Sequence, residues 1–372
     1  MQSYVCLEIK LWDENSFANV FINWQGGAMK AHKNQKDTID IVAVAKAAKV
    51  SISTVSRSYN HPNLVKPATR RRIEKAIERL GYIRNRAAQT MHGKRSGTIG
   101  LIVPTVNHTI FSEVIQSFSE VVEEEGFTML ITSHRFDLKR EYSVLRKLLE
   151  HRVDGIALTG LAHTEETYQL ISQQEIPSVA IWNYEPRSKI PCVGTDNFEA
   201  GALAAQHLID LGHRQIAAVF PPAQDNDRAA ARWEGAKGAL ERAGVMPARD
   251  WIKTSQYSIA QAKEICLALF ARRPLPSALV CGNDVIAQGA LYAAQALGIS
   301  VPDQISIVGI GDFPGSSEFE PALTTVRIPA RRIGAEAGRQ LIGTIMETEN
   351  RDVVRKRFDL EVMLRKTTAT LN

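Results

Sequence analysis

Residues 50–57 read VSISTVSR: four small hydroxyl side chains, Ser51, Ser53, Thr54 and Ser56, set between apolar ones and closed by Arg57. Ser and Thr usually weaken a helix, because they offer the backbone competing hydrogen bonds. Yet Val50, Ile52 and Val55 keep a spacing closer to a helix than to an alternating strand. The flanking sequence supports the helical reading. Asp40 stands as an N-cap before Ile41, Val44, Ala45 and Ala48, a short amphipathic helix. A turn around Lys49–Ser51 leads into a second helix from about Ile52 to Tyr59. A third starts near Pro67, carries Ile73, Ile77 and Leu80 on one face, and stops at Gly81. Two short helices with a tight turn, braced by a third, make an all-α helix-turn-helix.

Charge explains why the second helix is rich in hydroxyls. Residues 30–97 hold sixteen Lys/Arg against four Asp/Glu, a local net of +12, although the whole chain carries only +5. A basic module on an acidic remainder points to nucleic acid. Short side chains let a helix approach the major groove closely, Ser and Thr donate to phosphates or bases, and Arg reads guanine with two hydrogen bonds. Ile52, Ser53 and Arg57 are therefore expected at base edges, Ser51 and Thr54 at phosphates, with Asn60 a further DNA contact. The competing reading is a solvated helix with no partner.

The 372 residues, 44% apolar and 23% charged, allow two or three globular domains. Cys6, Cys192, Cys266 and Cys281 show no metal-site spacing and read as small buried residues of a reducing compartment. No apolar run reaches about 18 residues and no secretory signal is evident, so a cytoplasmic protein away from membranes is expected. Residues 1–37 read as an extension, disordered or arising from a misassigned start, with Met29 a candidate initiator. After HGKRSG the chain alternates apolar strands, near 98–103, 128–132, 155–158, 178–181, 216–220, 278–280 and 305–310, with amphipathic helices. That pattern argues for parallel α/β sheets with a ligand cleft at the carboxyl ends of their strands.

The stretch from IVAVAKAAKVSISTVSR through ERLGY and NRAAQTM to TIGLIVP resembles the N-terminal module of the lactose-repressor (LacI/GalR) family of bacterial regulators. Lys49 departs from it where the family usually has a turn glycine, Ala43 where an acid is common, and Arg84 where proline is frequent. The resemblance implies a helix-turn-helix domain at 38–84 and a hinge helix and linker at 85–97. Asn85, Ala88 and Met91 would then touch DNA, with Met91 in place of a minor-groove leucine wedge. It implies an effector-binding and dimerisation domain at 98–372, similar to periplasmic sugar-binding proteins: two doubly wound lobes joined by three crossovers. Lobe 1 is placed at 98–195 and 301–330, lobe 2 at 196–300 and 331–372. GTDNFEAG and LGHRQIA look closest to the branch sensing gluconate and related sugar acids.

By the same resemblance, Asp284 would accept from sugar hydroxyls, Arg232 would donate to ligand oxygens, Arg228 would line the site, and Tyr257 would pack on the ligand. Phe111, His134, Trp182 and Asp312 are expected at strand ends facing the cleft. Plainer readings stand beside these. The arginines could pair with Asp225 or Asp227, Trp182 could be core, and Asp312 could cap a loop. No H-E-x-x-H, no G-x-S-x-G and no correctly spaced glycine-rich phosphate loop is present. The expectation is a non-enzymatic homodimeric regulator without metal or cofactor, a repressor of sugar or sugar-acid genes that binds operator DNA and a small effector. A solute-binding protein or sugar-processing enzyme on the same lobes, and a regulator using its ligand as corepressor, are the alternatives.

Overall fold

The structure is a computed structural model and describes residues 39–84, 95–107, 109–346 and 354–371. The chain divides after Asn85 into two compact units.

The first unit is the three-helix module. Helix α1 (Ile41–Ala48) is capped by the Asp40 carboxylate, which accepts from Ala43 N at 2.8 Å. It ends at Lys49, whose φ of 52° and ψ of 51° place it in the left-handed region. This is the position where the resemblance expects glycine. A Cβ there crowds the following carbonyl. Helix α2 (Ile52–Asn60) starts on Ser51, whose Oγ accepts from Thr54 N at 3.2 Å. Helix α3 (Pro67–Leu80) begins with proline and ends on Gly81 at φ 63°. Val44, Ala45 and Ala48 of α1 meet Val55 of α2 and Ile73 and Ala76 of α3 in one small core. VSISTVSR is therefore the turn and the first six residues of α2, with Val55 facing inward and the hydroxyls left outside.

The second unit holds two six-stranded sheets. In lobe 1 the strands are β1 (Thr98–Val103), β2 (Thr128–Ser133), β3 (Gly155–Thr159), β4 (Ser178–Asn183), β5 (Cys192–Thr195) and β11 (Arg355–Arg357), in the order β2-β1-β3-β4-β5-β11 and all parallel. In lobe 2 they are β6 (Ile216–Phe220), β7 (Ile252–Thr254), β8 (Ala278–Cys281), β9 (Ser306–Gly311), β10 (Thr324–Arg327) and β12 (Glu361–Met363), in the order β7-β6-β8-β9-β10-β12. Only β12 runs antiparallel, against β10, among the described pairs of this sheet. Central strands such as β3, β4, β6 and β8 are buried along their whole length, as helices on both faces require.

The lobe boundaries need one correction. β9 and β10, expected in lobe 1, belong to the second sheet. The helix Ala330–Met346, expected in lobe 2, packs on the helix Thr109–Glu124 and on β3 and β4, and β11 closes the first sheet. The reason is local: β8, the helix Asp284–Ala296 and β9 form an uninterrupted parallel crossover, with Ala278 opposite Ser306. The chain changes lobe between β5 and the helix Asn197–Asp210, between β10 and the helix Ala330–Met346, and between β11 and β12.

Two glycines position the future site. A Cβ on Gly201 would strike the carbonyl of Arg232, and one on Gly235 would strike the carbonyl of Phe198. The helices Asn197–Asp210 and Asp227–Arg242 thus touch backbone to backbone, which sets Asn197 beside Arg232.

Three expectations follow from the fold. Lys49→Gly removes left-handed strain and stabilises the module by about 0.5–1 kcal/mol after its own entropy cost. The check is slower hydrogen exchange at the Val55 and Ile73 amides; unchanged exchange would mean that Lys49 is unstrained. Gly235→Ala is expected to cost about 2–3 kcal/mol in a urea melt of the second unit, because two packed helices must separate. Burial holds the imidazoles of His134, His207 and His213 below their usual range. The unfolded chain then binds protons more readily, so this stability is complete above about pH 6.5 and declines as pH falls from there. Melts at pH 7.5 and pH 5.5 read the effect.

A helix-turn-helix face and an interlobe cleft

Each site lies within one unit. On the first, Ser51, Ile52, Ser53 and Arg57 are exposed, Thr54 is half-buried, and Ile52, at 46% exposure, is an apolar side chain left in water. Ser51 Oγ lies 2.8 Å from both Ser53 Oγ and Thr54 Oγ1, which preorders the start of α2. The Arg84 guanidinium sits 4.7 Å over the Tyr59 ring, fastening the outgoing chain to α2. The Asn60 side chain and Asn85, Ala88 and Met91 lie outside the described residues.

In the second unit the carboxyl ends of the two sheets face one another, and polar side chains join them. Asp227, the first residue of its helix, reaches across to lobe 1. Its Oδ2 accepts from Leu161 N at 2.7 Å, Ala162 N at 3.1 Å and Asn183 Nδ2 at 2.7 Å. Its Oδ1 accepts from Arg228 N and Nη1 at 2.9 and 2.8 Å. Arg228 Nη1 also approaches the Thr159 carbonyl at 3.4 Å. Asn183 Oδ1 accepts from Asn197 Nδ2 at 2.9 Å, and Asn197 Oδ1 accepts from Arg232 Nε at 2.8 Å. A stack completes the contact: Phe136 of lobe 1 lies 5.3 Å from Tyr257 of lobe 2, with planes 11° apart. Asn226 fixes that ring by donating to Tyr257 Oη at 2.9 Å.

Arg232 is the chemically conspicuous group. It is 2% exposed, its Nη1 donates to the Gly282 carbonyl at 3.1 Å, and its Nη2 has no partner. Both protein acceptors are neutral, and no carboxylate forms an ion pair with it among the described residues. Burial lowers its pKa to about 10, which still leaves it cationic at neutral pH. Nearby, Asn283 spends its Oδ1 capping the helix at Ile286 N, while its Nδ2 is also unpartnered. A buried cation with an idle donor is suited to an anion.

The remaining candidates divide. Asp284 is buried and lines a cavity of about 330 Å³ with Asn107, Thr109, Tyr257, Gln288 and Phe313. Its carboxylate is nevertheless engaged by the protein: it accepts from Phe313 N at 3.1 Å, Ser316 Oγ at 2.7 Å and Thr325 Oγ1. Burial raises its pKa in spite of those bonds. Its geometry is that of a clasp on the 313–316 turn, made by a residue that also lines the cavity. Asp312, at φ 54°, accepts from Arg327 Nε at 2.7 Å and Arg365 Nη2 at 2.6 Å, an ion-pair knot within lobe 2. It also belongs to lobe 2 and not to lobe 1, as β9 does. Trp182 is 1% exposed and packs on buried Phe111 with ring centres 5.6 Å apart, so both rings are part of the lobe 1 core packing. Trp182 holds a φ of 84°, opposite Gly194, where any Cβ would meet the β4 backbone. His134 is buried, and neither ring nitrogen has a partner within normal hydrogen-bond geometry.

Sequence reasoning passed over Asn183, Asn197, Asn226 and Asp227 as site residues. Asn197 lay in the quoted GTDNFEAG stretch, and Asp227 appeared only as a surface partner for arginine. Their role depends on facing the other lobe, which no local pattern encodes. Asp227→Ala strands three backbone N–H groups, an amide and a guanidinium. It is expected to lower the stability of the second unit by about 2–3 kcal/mol, less than a fully buried pair because the carboxylate is partly exposed. A urea melt beside Asp227→Asn, which keeps one acceptor, checks it.

Two family models match the chain: "Bacterial regulatory proteins, lacI family" over residues 40–85 and "Periplasmic binding protein-like domain" over residues 205–368. The HTH-type transcriptional regulator GntR of Pseudomonas aeruginosa is 31% identical over 346 residues, covering 91% of this chain and all of that protein. Among solved structures, a transcription regulator GntR from Chromobacterium violaceum is 32% identical with a TM-score of 0.68, covering 73% of this chain and 99% of that one. The lac repressor dimer bound to operator and an anti-inducer gives a TM-score of 0.78 at 25% identity, covering 89% and 99%. Helix-turn-helix module, two parallel-sheet lobes and sequence agree: the chain belongs to the LacI family of bacterial transcriptional regulators.

Proposed function

We propose that this regulator is a homodimeric, non-enzymatic repressor that leaves its operator when a sugar acid of the gluconate type binds between its lobes. The observation that carries the ligand class is Arg232: a buried cation, without an ion pair among the described residues, whose Nη2 is idle, while Asn283, next in sequence to its Gly282 acceptor, also has an unpartnered amide nitrogen. A carboxylate on the ligand would neutralise that charge and fill those donors, which a neutral sugar does less well.

On the DNA side, Ile52, Ser53 and Arg57 read base edges from the exposed face of α2, with Ser51 and Thr54 on phosphates. Two copies would address a near-palindromic site. Release requires that the acid bind one arrangement of the lobes better than the other. The Asp227, Asn183 and Phe136–Tyr257 contacts are what distinguish those arrangements, since they exist only while the lobes meet.

The test pairs calorimetric titration of gluconate and glucose with fluorescence anisotropy on an operator selected in vitro from random duplexes. Gluconate is expected to bind and to weaken the operator complex at least about tenfold, while glucose does neither. Binding of glucose alone would remove the sugar-acid assignment, and tighter operator binding with gluconate would reverse the sign to corepression. Arg57→Ala is expected to cost about 1–3 kcal/mol on the selected operator and much less on random duplex.

A further inference from the structure

One buried group of side chains in lobe 1 is incomplete. His134 follows the end of β2 at 2% exposure; neither ring nitrogen has a partner within normal hydrogen-bond geometry, although the Asp137 backbone acts on the ring as a weak acceptor. Glu141, fully buried on the helix Leu138–Glu150, accepts at Oε1 from His163 Nδ1 at 2.7 Å. Its Oε2 is unpartnered and lies 3.9 Å from His134 Nε2. His163 is fixed from its other side by the Gly160 carbonyl at 3.1 Å, and its ring meets Tyr168 edge-on at 5.3 Å. Glu141 is therefore held in place while one of its oxygens stays idle. The group connects to the lobe contact through one ring. His134 contacts Phe136 at 6.5 Å, which stacks on Tyr257 of lobe 2, and the Arg228 charge acts on both His134 and Arg232.

The chemistry of the gap is specific. Burial, the largest influence on His134, holds its pKa down, so the ring is neutral at pH 7 and offers one N–H and one lone pair. Glu141 Oε2 adds an acceptor. A group that both donates and accepts completes this set, and a hydroxyl does so. A carboxylate does not: it brings no proton and lies against another carboxylate, so one of the two would have to take up a proton. Arg232 presents the opposite chemistry in lobe 2.

We propose that His134 and Glu141 form a hydroxyl-reading subsite, so that the effector lies with its carboxylate on Arg232 and its polyol end on lobe 1, and that Glu141 rejects acids carrying a carboxylate at both ends. The inference rests on the sugar-acid reading of the cleft and adds the ligand's orientation and a selectivity residue. Glu141 thereby serves as a filter between aldonic and aldaric acids.

The experiment is calorimetric titration of the full-length protein with gluconate, which has one terminal carboxylate, and with glucarate, which has two. The wild type is expected to bind gluconate at least about tenfold more tightly, the scale of an unfavourable like-charge contact. Glu141→Gln, which turns an acceptor into a donor, is expected to bring the two affinities together. Equal binding of both acids by the wild type overturns the proposal. So does a Glu141→Gln protein that binds gluconate with the preference unchanged, as it would be if the gap held only a water. Binding of neither acid would defeat the sugar-acid reading itself, and this subsite with it. Should Glu141→Gln fail to fold by circular dichroism, the wild-type ratio still decides. His134→Leu then gives the second readout: about a tenfold loss for gluconate is expected, and unchanged affinity overturns the subsite.

Discussion

The second unit depends on a charge that the protein leaves unanswered. Arg232 is carried into the interior by the backbone contact between two helices, at which Gly201 and Gly235 leave no room for a side chain. There it receives an amide oxygen and a peptide carbonyl, and no carboxylate pairs with it among the described residues. Burying a cation costs several kcal/mol unless its hydrogen bonds are completed. Folding supplies part of that compensation through Asn197 and Gly282. One donor, Nη2, stays without a partner, and in the proposed reading the ligand's carboxylate fills it, which would make occupancy of the cleft and the arrangement of the lobes a single problem.

Asp227 ties the two lobes together from the same helix. It lies five residues ahead of Arg232, and its carboxylate spans to the backbone of 161–162 and to Asn183 in lobe 1. Asn183 then returns to Arg232 through Asn197. A change at Arg232 is therefore felt at the lobe contact through two side chains. On the proposed reading, a ligand would need only to favour or disfavour a short run of hydrogen bonds and one aromatic stack to bias the lobes.

Much of this was legible in the sequence, for reasons that particular residues make clear. The helix-turn-helix was readable because its signals are local: Asp40 and Ser51 cap, Val55 points inward, Pro67 starts and Gly81 stops. Even the strain at Lys49 followed from the expectation of a glycine. The alternation of strands and helices was equally plain, since buried parallel strands are continuous apolar runs. Assigning β9 and β10 to a lobe was harder, because SIVGIG looks the same in either sheet; only its pairing with β8 decides. The site was the least legible. Arg232 was placed where an effector arginine belongs, but nothing in the sequence shows whether a carboxylate such as Asp312 or Asp284 faces the cleft or is consumed by Arg327, Arg365, Ser316 and Thr325. Asn183, Asn197 and Glu141 matter through partners on other elements of the fold, and the short β5, β7, β11 and β12 carry too few residues to declare themselves.

The most direct test of this account is a crystal structure of the protein with gluconate bound. The account predicts the ligand between the lobes, its carboxylate within hydrogen-bond distance of Arg232 Nη2 and its hydroxyls toward His134 and Glu141. A ligand bound elsewhere, or one lying in the cleft with its carboxylate away from Arg232, would contradict it.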